Sequence, residues 1–148
     1  MFIAVRTMIA AASAALLLMA VQPAEAQPLA PQRFSVETRG AGPDVIFIPG
    51  LGSSREVWGP QAEALAATHR LHLVQVAGFA GAPATDATNA VLEPMVEELA
   101  AYIEANTAAP PAVIGHSMGG LTGLMLARRH PERVGRLMIV DSLPFFSV

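Results

Sequence analysis

Residues 111–120 read Pro111-Ala112-Val113-Ile114-Gly115-His116-Ser117-Met118-Gly119-Gly120. A short apolar run leads into a serine ringed by glycines, and residues 118–130 after it have helical spacing. Gly115-His116-Ser117-Met118-Gly119 fits G-x-S-x-G, a tight strand-to-helix turn that lifts a serine hydroxyl to the top of a sheet. Alone, the pattern is weak in a chain with 12 glycines. A strand before it and a helix after it make it strong. The competing reading is a serine N-cap on a glycine-rich helix start.

Upstream, residues 34–38 alternate as a strand and end at the turn Gly40-Ala41-Gly42-Pro43. Asp44-Val45-Ile46-Phe47-Ile48 follows, β-branched and almost wholly apolar, as suits a strand buried on both faces of a parallel sheet. Pro49-Gly50-Leu51-Gly52-Ser53-Ser54 breaks it. Residues 55–68 carry helical spacing at Val57, Trp58, Ala62, Leu65 and Ala66, with Ser54 as candidate cap. Residues 71–76 form the next strand, and residues 77–87 a loop of small residues. A helix over residues 91–105 keeps a 3–4 spacing, with Pro94 in its first turn, where a missing N–H costs little. Residues 111–114 and 134–140 are the remaining strands. Apolar strands alternating with helices predict an α/β fold, a mostly parallel sheet with helices on both faces. Sites in such sheets form at the carboxyl ends of strands. Two breaks lie at such ends, residues 49–52 and 115–119.

At the amino terminus, Arg6, an uncharged apolar stretch over residues 8–21 and Ala24-Glu25-Ala26 make the pattern of a secretory signal peptide. The apolar stretch is shorter than the roughly 20 residues a spanning helix needs. The expectation is cleavage after Ala26, a periplasmic or secreted product, and no stable membrane anchor afterwards. Residues 27–32 read as a lead-in, and residues 33–148 as one domain. There is no cysteine, so no disulfide framework. A net charge of −3, with no basic stripe, argues against nucleic acid as a partner.

A serine hydroxyl attacks only when a base takes its proton, and the oxyanion that results must be met by aimed N–H donors. The turn supplies part of this. Ser117 is held clear of the sheet, and the Met118 N–H lies at a helix N-terminus, where the dipole favours negative charge. A second donor is expected from the loop after the earlier buried strand, through the backbone N–H of Leu51. No metal cluster or phosphate-cradling loop stands out, so no metal and no cofactor are expected.

Pro49-Gly50-Leu51-Gly52-Ser53-Ser54, with Trp58 eight residues after Gly50, resembles the oxyanion loop of the α/β-hydrolase fold family. Gly115-His116-Ser117-Met118-Gly119-Gly120 resembles that family's nucleophile elbow, and His130-Pro131-Glu132-Arg133-Val134 with the strand to Asp141 resembles the segment after it. Pro49 stands where many members carry histidine, which leaves the backbone donor intact. Val76-Ala77-Gly78-Phe79-Ala80-Gly81 keeps the glycines of its loop but lacks the usual acidic residue before them. The resemblance implies a serine hydrolase acting on a small-molecule acyl substrate, with a triad in the order Ser, Asp or Glu, His.

Only the first member of that triad is plain. His116 precedes the nucleophile and should point away. His130 lies 13 residues down a helix, roughly 20 Å away. His69 and His72 flank the start of a strand at the opposite sheet edge. Asp141, ending the last strand on the correct side, is the candidate acid. The resemblance implies a domain of about twice this length, with the histidine downstream. The chain is therefore expected to be the amino-terminal part of a larger enzyme, inactive alone; a noncatalytic truncated product or binding module is the alternative. Trp58 is expected in the core rather than a pocket.

Overall fold

A computed structural model describes residues 31–85 and 91–143. The expected leader, residues 27–30 of the lead-in and residues 144–148 lie outside them. The elements run β1 (Phe34–Arg39), β2 (Asp44–Ile48), α1 (Gly59–Leu65), β3 (Arg70–Val76), α2 (Leu92–Asn106), β4 (Ala112–His116), α3 (Met118–Arg129) and β5 (Arg136–Val140). They build one five-stranded sheet in the order β1-β3-β2-β4-β5. β1 is antiparallel to β3, and every other pairing is parallel. The expected mostly parallel α/β sheet is what forms.

The alternation within each strand explains the continuous apolar runs. Ile46, Ile48, Val74, Val76 and Val113 face α2 and α3 in one core, joined by Met95, Leu99, Ile103 and Leu126. Val45, Phe47, Leu71 and Leu73 face α1 in a second core with Trp58 and Ala62. Both faces of β2 and β3 are thus covered, as a parallel sheet requires. Trp58 is a core residue: it is buried, and its ring centroid lies 5.0 Å from that of Phe47.

Three boundaries differ from expectation by more than one residue. The helix expected over residues 55–68 splits into a 3-10 turn, Arg55–Trp58, and α1. Gly59 and Pro60 are the cause, because Pro60 has no N–H to donate backward and fits only a helix's first turn. The Ser54 cap forms as expected, accepting from the Glu56 N–H at 3.2 Å. β4 runs to His116 rather than 114, since Gly115 and His116 are still paired with β5. β5 starts later, because Pro131–Arg133 forms a 3-10 turn first.

Candidate active site

The carboxyl ends of β2, β4 and β5 meet around Ser117. Ser117 has φ 50 and ψ −117, a backbone conformation that L-residues with a Cβ rarely adopt. It stands at the N-cap position of α3, but its side chain makes no capping hydrogen bond. The strain persists because the surroundings fix it. The Ser117 N–H donates to the Val140 carbonyl at 3.0 Å, and the Ser117 carbonyl accepts from the Ser142 hydroxyl at 2.7 Å and from the Leu121 N–H at 3.1 Å. Neighbouring glycines make the crowding tolerable. A Cβ on Gly115 would stand 2.2 Å from the Gly119 carbonyl oxygen, and one on Gly119 would stand 2.2 Å from that of Ile48.

The loop after β2 comes up beside this turn. A Cβ on Gly50 would lie 3.4 Å from the Ser117 Cβ and 2.9 Å from the His116 Nδ1. Residues 50–53 close on themselves through a 3.1 Å bond from the Ser53 N–H to the Gly50 carbonyl. Gly52 takes φ +68, which suits the third position of a type II turn, a position that favours glycine. Leu51 is the second residue of that turn, with its side chain 72% exposed. The closing bond is made by Ser53 and leaves the Leu51 N–H out of it. Met118 opens α3 with its side chain buried in the larger core, and its N–H belongs to the first turn of that helix. Gly50, the neighbour of Leu51, and Met118 thus both lie beside Ser117, on neighbouring strand ends.

Asp141 is exposed, follows β5 directly and takes φ 45. It therefore stands at the same sheet end as Ser117, between the two residues, Val140 and Ser142, that hold the Ser117 backbone. The serine's grip on β5 was invisible in the sequence. The only signal was position: Ser142 follows a strand end adjacent to the elbow strand.

The histidines are placed elsewhere. His69 bonds the Thr68 hydroxyl at 2.8 Å, and His130 bonds Glu97 at 2.8 Å at the far end of α3. His72 is buried between Tyr102 and Asp44. His116 lies against Gly50. Among the described residues, no histidine hydrogen-bonds Ser117.

Comparison with known proteins agrees with this fold. A model of the alpha/beta hydrolase fold matches residues 43–148. Over 112 residues the chain is 38% identical to the pimeloyl-[acyl-carrier protein] methyl ester esterase of Aeromonas hydrophila, covering 76% of this chain and 42% of that one. Among solved structures it is similar to Rv0554 of Mycobacterium tuberculosis, with 30% identity and a TM-score of 0.65 over 74% of this chain and 40% of that one. An esterase from a marine microorganism matches with 27% identity and a TM-score of 0.64, over 74% and 41%. The chain thus spans about two fifths of the length of these relatives.

Proposed function

The chain belongs to the α/β-hydrolase fold family, and from that premise we propose that it is the amino-terminal portion of an exported serine hydrolase acting on an ester, amide or related acyl bond. The observation that carries the reading is the strained backbone of Ser117 beside the Gly50–Ser53 turn. Similarity to a methyl ester esterase favours an ester among these bonds. A small-molecule acyl substrate would enter from the sheet end where Leu51 is exposed.

In this mechanism the Ser117 Oγ attacks the acyl carbon while a histidine takes its proton. The carbonyl electron pair moves onto oxygen, and that oxyanion accepts from the N–H groups of Leu51 and Met118. Collapse expels the leaving group with the proton from the histidine, and water then releases the acyl group from the serine by the same path. The base comes from sequence beyond Val148. His69, His72 and His130 are held by Thr68, Asp44 and Glu97, and this chain spans only about two fifths of the relatives' length. Asp141 is the candidate acid. Residues 1–26 act as the export signal, removed after Ala26.

The test is fluorophosphonate labelling of the full-length gene product. Labelling at Ser117, lost in Ser117→Ala with unchanged folding, is the expected outcome; removal of such a nucleophile costs on the order of 10⁶ in turnover elsewhere. No label on the folded wild type would overturn the proposal in favour of a noncatalytic product. Amino-terminal sequencing of exported material should begin at Gln27.

A further inference from the structure

Gln75 is a polar residue near the end of a strand whose six carboxyl-terminal residues are all buried, and it is 8% exposed. Its side chain joins two loops at the active-site end of the sheet. Oε1 accepts from the Arg55 N–H at 2.9 Å. Nε2 faces three carbonyls: Phe79 at 3.1 Å, Val76 at 3.3 Å and Ser53 at 3.5 Å. Ser53 closes the turn that carries Leu51, and Arg55 opens the 3-10 turn that follows. Phe79 belongs to the glycine loop after β3, where its carbonyl also accepts from the Ala82 N–H at 2.9 Å.

The arrangement needs an amide. One face of the site offers an N–H and so demands an acceptor; the other offers carbonyl oxygens and so demands a donor. A carboxylate in the same place would set negative charge against the Ser53 and Phe79 carbonyls. A hydrocarbon would take the amide's bonds from the part-buried Arg55 N–H and Ser53 carbonyl and leave the Phe79 carbonyl with Ala82 alone. The turn's other end is fixed by packing, since Ile48 and Pro49 press on Gly119. With one end clamped by backbone contact and the other by Gln75, the Leu51 N–H has a defined position relative to Ser117.

We infer that Gln75 is a positioning residue for the oxyanion donor: its amide ties the Leu51 turn to the loop after β3 and so aims the Leu51 N–H at the developing oxyanion. This inference rests on the proposed nucleophilic role of Ser117. It gives the departure at this loop, an amide before the glycines instead of an acid, a physical meaning. The amide suits carbonyls that an acid would repel.

The experiment compares wild type, Gln75→Met and Gln75→Glu in the full-length gene product with a p-nitrophenyl ester as substrate. Phenylboronic acid, whose serine adduct is tetrahedral and anionic, is the second probe. A misplaced donor weakens transition-state binding but not substrate binding. In Gln75→Met, kcat should fall about 10- to 100-fold and boronate affinity should fall in parallel, with KM within about threefold. Gln75→Glu should lose more. Equal kcat and equal boronate affinity in a folded Gln75→Met protein with a lowered melting temperature would overturn the inference, leaving a merely structural residue. Should Gln75→Glu fail to fold, the volume-matched Gln75→Met decides alone. A wild type that is not labelled at Ser117 would instead overturn the underlying reading, and the inference with it.

Discussion

The two ends of this sheet hold similar chemical groups in opposite ways. At the amino-terminal end of β2 and β3, the Tyr102 hydroxyl bonds His72 Nδ1 at 2.8 Å, and His72 Nε2 bonds Asp44 Oδ1 at 2.9 Å. That is the hydroxyl–imidazole–carboxylate order of a catalytic triad. At the carboxyl end, Ser117 has no histidine partner among the described residues, yet it is the better nucleophile candidate. The difference lies in what surrounds the hydroxyl. His72 is 2% exposed, and Arg70 neutralises Asp44 with bonds of 2.5 and 3.1 Å while also reaching the Asn106 carbonyl. Burial pushes the Tyr102 phenol up from its ordinary value, holding it protonated. That cluster is closed and satisfied, and it fastens α2 to the sheet. Ser117 is strained, only partly buried and set between the Gly50–Ser53 turn and the first turn of α3. Connectivity alone does not make a catalytic site; strain, access and aimed donors do.

The largest way to break the contrast is at the crowded end. In Gly119→Val the new Cβ would sit 2.2 Å from the Ile48 oxygen and 2.7 Å from the Pro49 oxygen, both backbone atoms. Backbone cannot step aside as a flexible side chain can. The expected loss is at least about 3 kcal/mol of stability, with no Ser117 labelling, read by denaturant unfolding and by the probe. A well-folded, labelled variant would show that the elbow is looser than its contacts imply.

Next in size is Asp44→Ala at the opposite end. Removing the carboxylate strands His72 and one side of Arg70. Because the Arg70 side chain is 38% exposed, the expected cost is about 2–3 kcal/mol, less than for a fully buried pair. The pH dependence has a definite sign. Burial alone would raise the Asp44 carboxyl, but hydrogen bonds from Arg70 and His72 outweigh it and hold the group below its ordinary value. A depressed carboxylate stabilises the fold above its unfolded value and loses that contribution as pH falls through the folded one. The gap between wild type and Asp44→Ala should therefore be full near neutrality and shrink below about pH 4. Denaturation midpoints across that range measure it, and a constant gap would assign the loss to packing alone.

How far each end could be read in the sequence follows from how local it is. The elbow is spelled by adjacent residues: a serine with glycines two before and two and three after, between a strand and a helix. The fold class was legible for the same reason, since buried strands such as residues 44–48 announce themselves by composition. The end of β4 was not, because Gly115 and His116 extend the strand by pairing with residues distant in sequence, Gly115 with Ile48 of β2 and both with β5, more than 20 residues on. The Tyr102–His72–Asp44 cluster joins positions 28 and 30 residues apart on three elements, and no local pattern encodes it. Its trace was two polar residues, His72 and Gln75, inside an otherwise apolar buried strand. Such residues call for a buried partner but do not name one. The split of the first helix at Gly59-Pro60 was legible in principle, because a proline admits only the first turn of a helix.

The finest test sets two single hydrogen bonds against each other. Tyr102→Phe removes the hydroxyl that bonds His72, and Ser142→Ala removes the hydroxyl that bonds the Ser117 carbonyl. Each deletes one oxygen, and each should cost about 1 kcal/mol of stability. Their effects on chemistry should part company. Tyr102 lies at the end of the sheet remote from the elbow, so its loss leaves the labelling rate of Ser117 within about twofold. Ser142 holds the backbone of the strained residue itself, and small misplacements of a reacting group are costly. Ser142→Ala should slow labelling about 3- to 10-fold at a similar loss of stability. Equal labelling in the two variants would mean that the glycine packing alone fixes Ser117, with the bond from β5 adding stability and nothing more.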